Sequence, residues 1–134
     1  MIVADTNTIA YLFIQGVHTP AVEALLEADP GWCAPPLWRS ELRNTLALYV
    51  RLGAMSLKHA QRLMKEAETL LRNREFRVES PEVLRLAKES GCSAYDCEFV
   101  ALARDLGAPL VTSDKAVLRA FPDIALAPEA FLDL

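Results

Sequence analysis

Residues 1–13, MIVADTNTIAYLF, place a short apolar run before an aspartate and two polar residues, with a second apolar stretch after them. The run IVA has the length of a buried strand, and TNTIAYLFIQG is predicted to form a helix that ends near Gly16. A strand that passes directly into a helix indicates the first unit of an α/β domain. The stretch also raises the question of why Asp5 stands at the strand's end.

The same alternation of short strands and helices continues along the rest of the chain. WCAP, FRVES, PLVT and IAL are predicted strands, and helices are predicted after Pro20, Pro36, Ser56, Pro81 and Ser93 and over DKAVLRAF. Strands separated by helices predict a parallel sheet with right-handed crossovers. We therefore expect an α/β fold, a three-layer α/β/α sandwich with a central parallel sheet, in a single domain over residues 1–134.

Composition indicates a soluble, globular protein. Hydrophobic residues make up 52% of the chain and charged residues 24%, which is typical of a packed domain rather than a disordered chain. No apolar run approaches the roughly 20 residues that span a bilayer, and no basic region precedes the N-terminal apolar residues. Cys33, Cys92 and Cys97 lack metal-ligand spacing, so we expect free thiols and a cytoplasmic protein. His18 and His59 lie in unrelated contexts, and neither is assigned a role.

Charge is unevenly distributed along the sequence. The net charge of −4 argues by itself against nucleic acid as a partner, but residues 39–77 carry an excess of lysine and arginine. That segment either contacts phosphate locally or is an ordinary pair of solvated helices. Both explanations remain open from composition alone.

Four acidic residues are predicted at one edge of the sheet. In a parallel sheet the carboxyl ends of strands and the amino ends of the following helices share an edge, where ligands of open α/β sheets bind. Asp5 ends the first strand, and Asp114 follows PLVT. Glu41 lies about one turn into the helix after WCAP, and Asp96 lies in the first turn of the helix that Ser93 caps.

Each acid also has a purely structural explanation. Asp5 or Asn7 can cap the first helix, Asp114 can cap the last, and Ser93 with Asp96 has the spacing of a capping box. Glu41 can be a solvated residue on an amphipathic helix. Taken singly, these explanations suffice. Jointly they weaken, because four unrelated caps have no reason to lie together.

Clustered carboxylates need a counter-charge. At an effective dielectric constant of 20 and a separation of about 4 Å, each pair costs about 4 kcal/mol. A divalent cation offsets this repulsion, and oxygen ligands without histidine or cysteine favour Mg²⁺ or Mn²⁺ over Zn²⁺. Such ions activate water and stabilise a leaving oxygen, which suits phosphate chemistry.

Four motifs in this order, DTN, SEL, AYDCEFVALA and LVTSDK, resemble the PIN-domain family, and within it the VapC-type toxin ribonucleases. The resemblance covers essentially the whole chain. It implies a PIN-like nuclease domain that cleaves RNA endonucleolytically with Mg²⁺ or Mn²⁺, as the toxin of a type II toxin–antitoxin system. Positions that match the family's catalytic and metal-binding acids are Asp5, Glu41, Asp96 and Asp114. Positions that match its supporting polar residues are Asn7, Thr112 and, more weakly, Thr6.

The resemblance also implies partners and leaves alternatives. It implies an RNA substrate, a homodimer, and a small antitoxin that contacts the predicted helical hairpin over residues 37–72. One alternative is a PIN scaffold that binds RNA or a protein without cleaving. Another is a phosphatase of the haloacid dehalogenase type, whose nucleophilic aspartate is followed two residues later by a second aspartate. Asn7 stands at that second position here.

Overall fold

The computed structural model describes residues 1–134 and has a parallel sheet at its centre. The strands are β1 (Ile2–Ala4), β2 (Trp32–Cys33), β3 (Leu110–Val111) and β4 (Ala125–Leu126). They lie in the order β2-β1-β3-β4, and every neighbouring pair is parallel. All four strands therefore end at the same edge of the sheet. The predicted α/β fold with a central parallel sheet is confirmed.

Eight helices flank this sheet. They are α1 (Thr6–Phe13), α2 (Thr19–Ala28), α3 (Leu37–Arg51), α4 (Leu57–Leu70), α5 (Ser80–Ser90), α6 (Ala94–Leu106), α7 (Lys115–Ala120) and α8 (Pro128–Leu132). The predicted caps are present, since Ser56 Oγ accepts from the His59 N–H and Ser93 Oγ accepts from the Asp96 N–H. Gly91 ends α5 with φ of 76°, a left-handed conformation that glycine adopts without strain. Helix α8 was not predicted from the sequence.

The predicted strand over FRVES is wrong. The chain makes a single parallel bridge between Ala34 and Glu75, and the following residues form no strand. The side chains of Phe76 and Arg77 are exposed, and only Val78 is half-buried. Without a buried face, the segment gains too little from apolar burial to extend the sheet, and α5 begins at Ser80.

The core explains why the strands are short and wholly apolar. All three residues of β1 are buried, because helices cover both faces of a central parallel strand. Trp32 and Trp38 are fully buried at the start and end of the β2-to-α3 connection. No helix combines the length and the apolar character that crossing a membrane requires. Cys33, Cys92 and Cys97 are free, the first and last of them buried.

Candidate functional site

A pocket of about 220 Å³ lies at the edge where the strands end. Its carboxylates are the four acids that the sequence places at this edge: Asp5, Glu41, Asp96 and Asp114. The other lining residues are Thr6, Asn7, Asn44, Thr45, Phe99, Leu110, Thr112 and Val117. No lysine, arginine or histidine lines the pocket. The structure therefore brings together all seven residues that the sequence singled out.

Asp5 is held by threonines on both sides. Its Oδ1 accepts from the Thr8 N–H at 2.9 Å and from Thr8 Oγ1 at 2.7 Å, which caps α1. Its Oδ2 accepts from Thr112 Oγ1. Burial raises the pKa of the Asp5 carboxyl, and Asp114 raises it further, while the bonds from Thr112 and Thr8 oppose the rise. Asp5 is thus a fixed carboxylate in a place that disfavours its charge.

Thr112 links two of the acids. Its buried hydroxyl donates to Asp5 and accepts from the Asp114 N–H at 3.0 Å. Asp114 Oδ1 accepts from the Val117 N–H at 2.9 Å and so caps α7. Its Oδ2 makes no hydrogen bond within the protein and is free for a ligand.

Glu41 and Asp96 approach the pocket from α3 and α6. Glu41 Oε1 accepts from Thr6 Oγ1 at 2.7 Å. Burial raises the pKa of Glu41, and Asp96 and Asp5 add to the rise. Burial also raises the pKa of Asp96, and Asp114 adds to it. The Asp96 N–H donates to Ser93 Oγ at 3.1 Å, but the carboxylate returns no bond to the Ser93 N–H, so only half of a capping box forms.

The capping explanation is correct for two acids and does not exclude a site. Asp5 and Asp114 each cap a helix with one oxygen, and both carboxylates still line the pocket. Among the supporting residues, Thr6 and Thr112 hydrogen-bond the acids directly. Asn7 is exposed and lines the pocket without bonding to any of them.

Some residues around the pocket were not singled out from the sequence. Thr8 bonds Asp5, and Glu98 on α6 lies close enough to repel Glu41 electrostatically. Asn44 and Thr45 also line the pocket. Their spacing of three and four residues after Glu41 places them on the same face of α3, a signal that the sequence does contain.

The donor set suits a hard divalent cation. No three of the aspartate, glutamate, histidine and cysteine side chains are arranged to hold a metal ion together. Mg²⁺ nevertheless takes only one or two carboxylates directly and keeps several waters. An ion that touches two of the four acids and reaches the others through water would fit this pocket. Burial is the main reason that the pKa values of Asp5, Glu41 and Asp96 are raised, and the ion would offset the repulsion that adds to the rise.

The fold and the pocket define a parallel α/β domain with a carboxylate site at its strand ends. The model of the PIN domain matches residues 2–123, and the chain belongs to the PIN-domain family. This membership sets aside the haloacid dehalogenase alternative.

Individual relatives agree with the family assignment. Ribonuclease VapC3 of Pyrobaculum aerophilum is 27% identical over 126 residues, which cover 90% of this chain and 95% of that protein. The crystal structure of PAE2754 from Pyrobaculum aerophilum has a TM-score of 0.78 at 24% identity and covers 98% of this chain and 93% of its own. A toxin–antitoxin complex from Klebsiella pneumoniae has a TM-score of 0.71 at 18% identity, over 96% and 98% of the two chains. The structural likenesses show that the fold is shared.

Proposed function

We propose that this protein is an endoribonuclease that depends on Mg²⁺ or Mn²⁺, and that it is the toxin of a type II toxin–antitoxin pair. The observation that carries the proposal is the convergence of four carboxylates from separate elements on one pocket without a basic residue. The name Ribonuclease VapC3, borne by a relative, supports RNA cleavage. The structural neighbour from Klebsiella pneumoniae, a toxin–antitoxin complex, supports the pairing.

In this proposal Asp5, Glu41, Asp96 and Asp114 hold the metal. When bound, such an ion lowers the pKa of water and offsets the charge that develops on a phosphodiester during cleavage. The chain's own part is positioning. Thr112 fixes Asp5 relative to the Asp114 backbone, and Thr6 fixes Glu41, so that the acids need little reorganisation when the ion binds.

We infer that one arginine contacts the RNA backbone. Arg119 on α7 is exposed, makes no ion pair, and lines a second pocket that shares Asp96 with the first. If one phosphate of the RNA lies at the acids, the next phosphate along the strand can contact this guanidinium in the second pocket. Arg39 does not have this role, because it is bound to Glu68 and Glu75.

The test is cleavage of RNA by purified protein and its variants. We expect the wild type to cut RNA with Mg²⁺ or Mn²⁺ present and to stop when EDTA is added. Asp5→Asn and Asp96→Asn should each lower the rate more than about 100-fold, since even outer-shell partners of metals are worth 10–100-fold. Asp105→Asn is the matched control, because it removes an exposed carboxylate from the same helix as Asp96.

Two outcomes separate the proposal from its alternative. Cleavage at the wild-type rate by both variants, with unchanged circular dichroism spectra, would refute the assignment of the acids. RNA binding without cleavage at any metal concentration would instead identify a non-cleaving PIN scaffold. Induced expression of the wild type should arrest growth and Asp5→Asn should not. Harmless expression of an active nuclease would argue against a toxin.

We place the antitoxin on the helical hairpin formed by α3 and α4. A groove between these helices is lined mainly by apolar side chains, among them Leu46, Val50 and Met64. Leu57 at its rim is 62% exposed. The probe is the product of a short gene beside this one, co-expressed with the chain. Leu57→Glu should abolish its co-purification, whereas Leu84→Glu, at an exposed leucine on α5, should not.

We also propose a homodimer. Its test is the mass of the purified protein by light scattering, measured with and without the co-expressed partner. A monomeric mass in both samples would contradict this part of the proposal.

A further inference from the structure

A cleft of about 300 Å³, separate from the pocket that Arg119 lines, adjoins the acidic pocket and is lined by aromatic rings. The pocket and the cleft share the lining residues Asn7 and Thr45, so they adjoin each other along α1 and α3 as the two parts of a groove. The rings that line this cleft belong to Tyr11, His18 and Tyr49. Neither the pocket nor the cleft is lined by a lysine or an arginine.

Two of these rings are already stacked on each other. The centroids of Tyr11 and His18 lie 4.3 Å apart with their planes 24° from parallel. His18 is exposed and Tyr49 is 37% exposed, so both keep surface for a ligand.

The loop that carries His18 is held by a buried hydroxyl. Thr19 Oγ1 accepts from the Gly16 N–H at 3.0 Å and donates to the Tyr11 carbonyl at 2.7 Å. Thr19 is 1% exposed. These bonds tie the loop after α1 to the last turns of that helix, on which the Tyr11 ring is mounted. The backbone that carries both rings is therefore held in place before any ligand arrives, which lowers the entropy cost of binding.

Helix geometry sets the distance between the rings and the acids. Glu41, Thr45 and Tyr49 follow one another at intervals of four residues along one face of α3. With a rise of 1.5 Å per residue, Tyr49 lies about 12 Å along the helix axis from Glu41. A ligand that reaches both ends of the groove must therefore be extended and larger than a single phosphate group.

From this juxtaposition we propose that the cleft of Tyr11, His18 and Tyr49 binds an unpaired RNA base next to the phosphodiester at the acids. The inference rests on the proposed function. Unstacked bases of single-stranded RNA bind on aromatic side chains, and this stacking tolerates any base. Because the groove lacks cations and its acids repel phosphate, stacking is the main source of affinity at this end. The substrate at this position is single-stranded.

The test measures binding of two probes to protein that does not cleave. The background is Asp96→Asn with Mg²⁺ present, and the probes are an octamer of adenylate and an octamer of ribose phosphate without bases. His18→Ala should weaken binding of the adenylate octamer roughly ten-fold, the loss expected for one stacked base, and leave the abasic octamer unchanged. His18→Phe should restore binding, and Tyr49→Ala should behave like His18→Ala. His59→Ala is the control, a histidine on α4 outside the groove.

Each other outcome overturns the inference. Equal loss for both octamers would mean that His18 contacts the backbone rather than a base. No loss for either octamer, while wild-type protein still cleaves RNA, would remove the base site and leave the proposed function intact. Loss of antitoxin co-purification with unchanged RNA affinity would assign the cleft to a protein partner. Absence of both RNA binding and cleavage would overturn the inference together with the proposed function.

Discussion

Two of the charged residues on α3, Arg39 and Glu41, belong to two different carboxylate clusters, one with a cation of its own and one without. In the first cluster Arg39 donates to Glu75 through Nε and Nη2, each at 2.7 Å, and through Nη1 to Glu68. With Trp38 Nε1 at 2.8 Å, Arg39 holds the pKa of Glu75 below its ordinary value. In the second cluster Glu41 is half-buried and faces other acids, so burial raises its pKa and the neighbouring negative charges raise it further.

The difference lies in where the positive charge comes from. The Arg39 cluster contains its own cation, so its carboxylates are satisfied by the fold. The acidic pocket also contains carboxylates, and Thr6 and Thr112 hold two of them by hydrogen bonds. It has no cation of its own. Since folding gains nothing from gathering repelling charges, this difference supports the proposal that the second cluster binds a cation.

Of the predictions that compare the two clusters, the largest effect is expected from removing the hydroxyl that ties two of the pocket's acids together. Thr112→Val deletes the donor to Asp5 and the acceptor of the Asp114 N–H. We expect the RNA cleavage rate to fall 10- to 100-fold, as for partners that orient metal ligands. The control is Thr69→Val, whose hydroxyl bonds only the Lys65 carbonyl within α4. Unchanged kcat/KM would show that the pocket does not need its acids fixed.

The next largest effect is expected from taking the cation out of the first cluster. Arg39→Ala leaves Glu68 and Glu75 without their partner and should lower the free energy of unfolding by about 1–3 kcal/mol. Urea unfolding at pH 7 measures it. The control is Arg43→Ala, at an exposed arginine about one turn further along α3 that makes no ion pair. It should change stability by less than about 0.5 kcal/mol. If both variants unfold alike, the first cluster is not a stabilising one.

A smaller effect of opposite sign is expected in the pocket. Asp96→Asn removes one repelling charge and should therefore raise the free energy of unfolding by about 1–2 kcal/mol in EDTA. The gain is smaller than the pairwise Coulomb energy because water and protonation screen the repulsion. Mn²⁺ should stabilise the wild type by RT ln(1 + [L]/Kd) and the variant much less. Asp105→Asn should show neither change. A destabilised variant whose melting ignores Mn²⁺ would mean that the four acids form no site.

The smallest effect concerns pH. The pKa of Glu75 is lowered in the folded protein. Its carboxylate therefore stabilises the fold at a pH above the ordinary pKa of glutamate, and this contribution is lost as the pH falls through the lowered pKa of the folded state. We expect wild type to exceed Glu75→Gln in unfolding free energy by less than about 1 kcal/mol at pH 7, and the gap to close below about pH 4.3. Glu66→Gln, an exposed carboxylate without a partner, should show no such gap. A gap that does not narrow as the pH falls below about 4.3 would contradict the ion-pair explanation.

Much of this arrangement could be predicted from the sequence because it follows from the alternation of short strands and helices along the chain. The run IVA and the helix caps at Ser56 and Ser93 are local signals, and a parallel sheet then forces strand ends and helix starts to one edge. This is why the convergence of four acids could be expected. The prediction of a strand over FRVES was wrong because a short apolar pattern does not show whether the segment can pair with the sheet and bury one of its faces.

What could not be predicted are contacts between residues far apart in the chain. Thr112 bonds Asp5 across 107 positions, and the pairing of Arg39 with Glu75 spans 36. No periodicity contains these pairings, because they depend on how helices sit against the sheet. For the same reason the sequence does not show that Arg119 lines a neighbouring pocket together with Asp96.

The bond from the Val117 N–H to Asp114 has an evolutionary consequence. Asn accepts the same capping bond that Asp114 accepts through Oδ1, and it does so without a negative charge. Aspartate and asparagine codons differ by one base, so a single transition can remove a carboxylate from the pocket while the helix start stays intact. In the proposed nuclease, this substitution would remove catalysis at little cost to the stability of the fold, and the inactive variant could persist as a binding protein. An enzyme and a non-cleaving scaffold are therefore neighbours in sequence space for this domain.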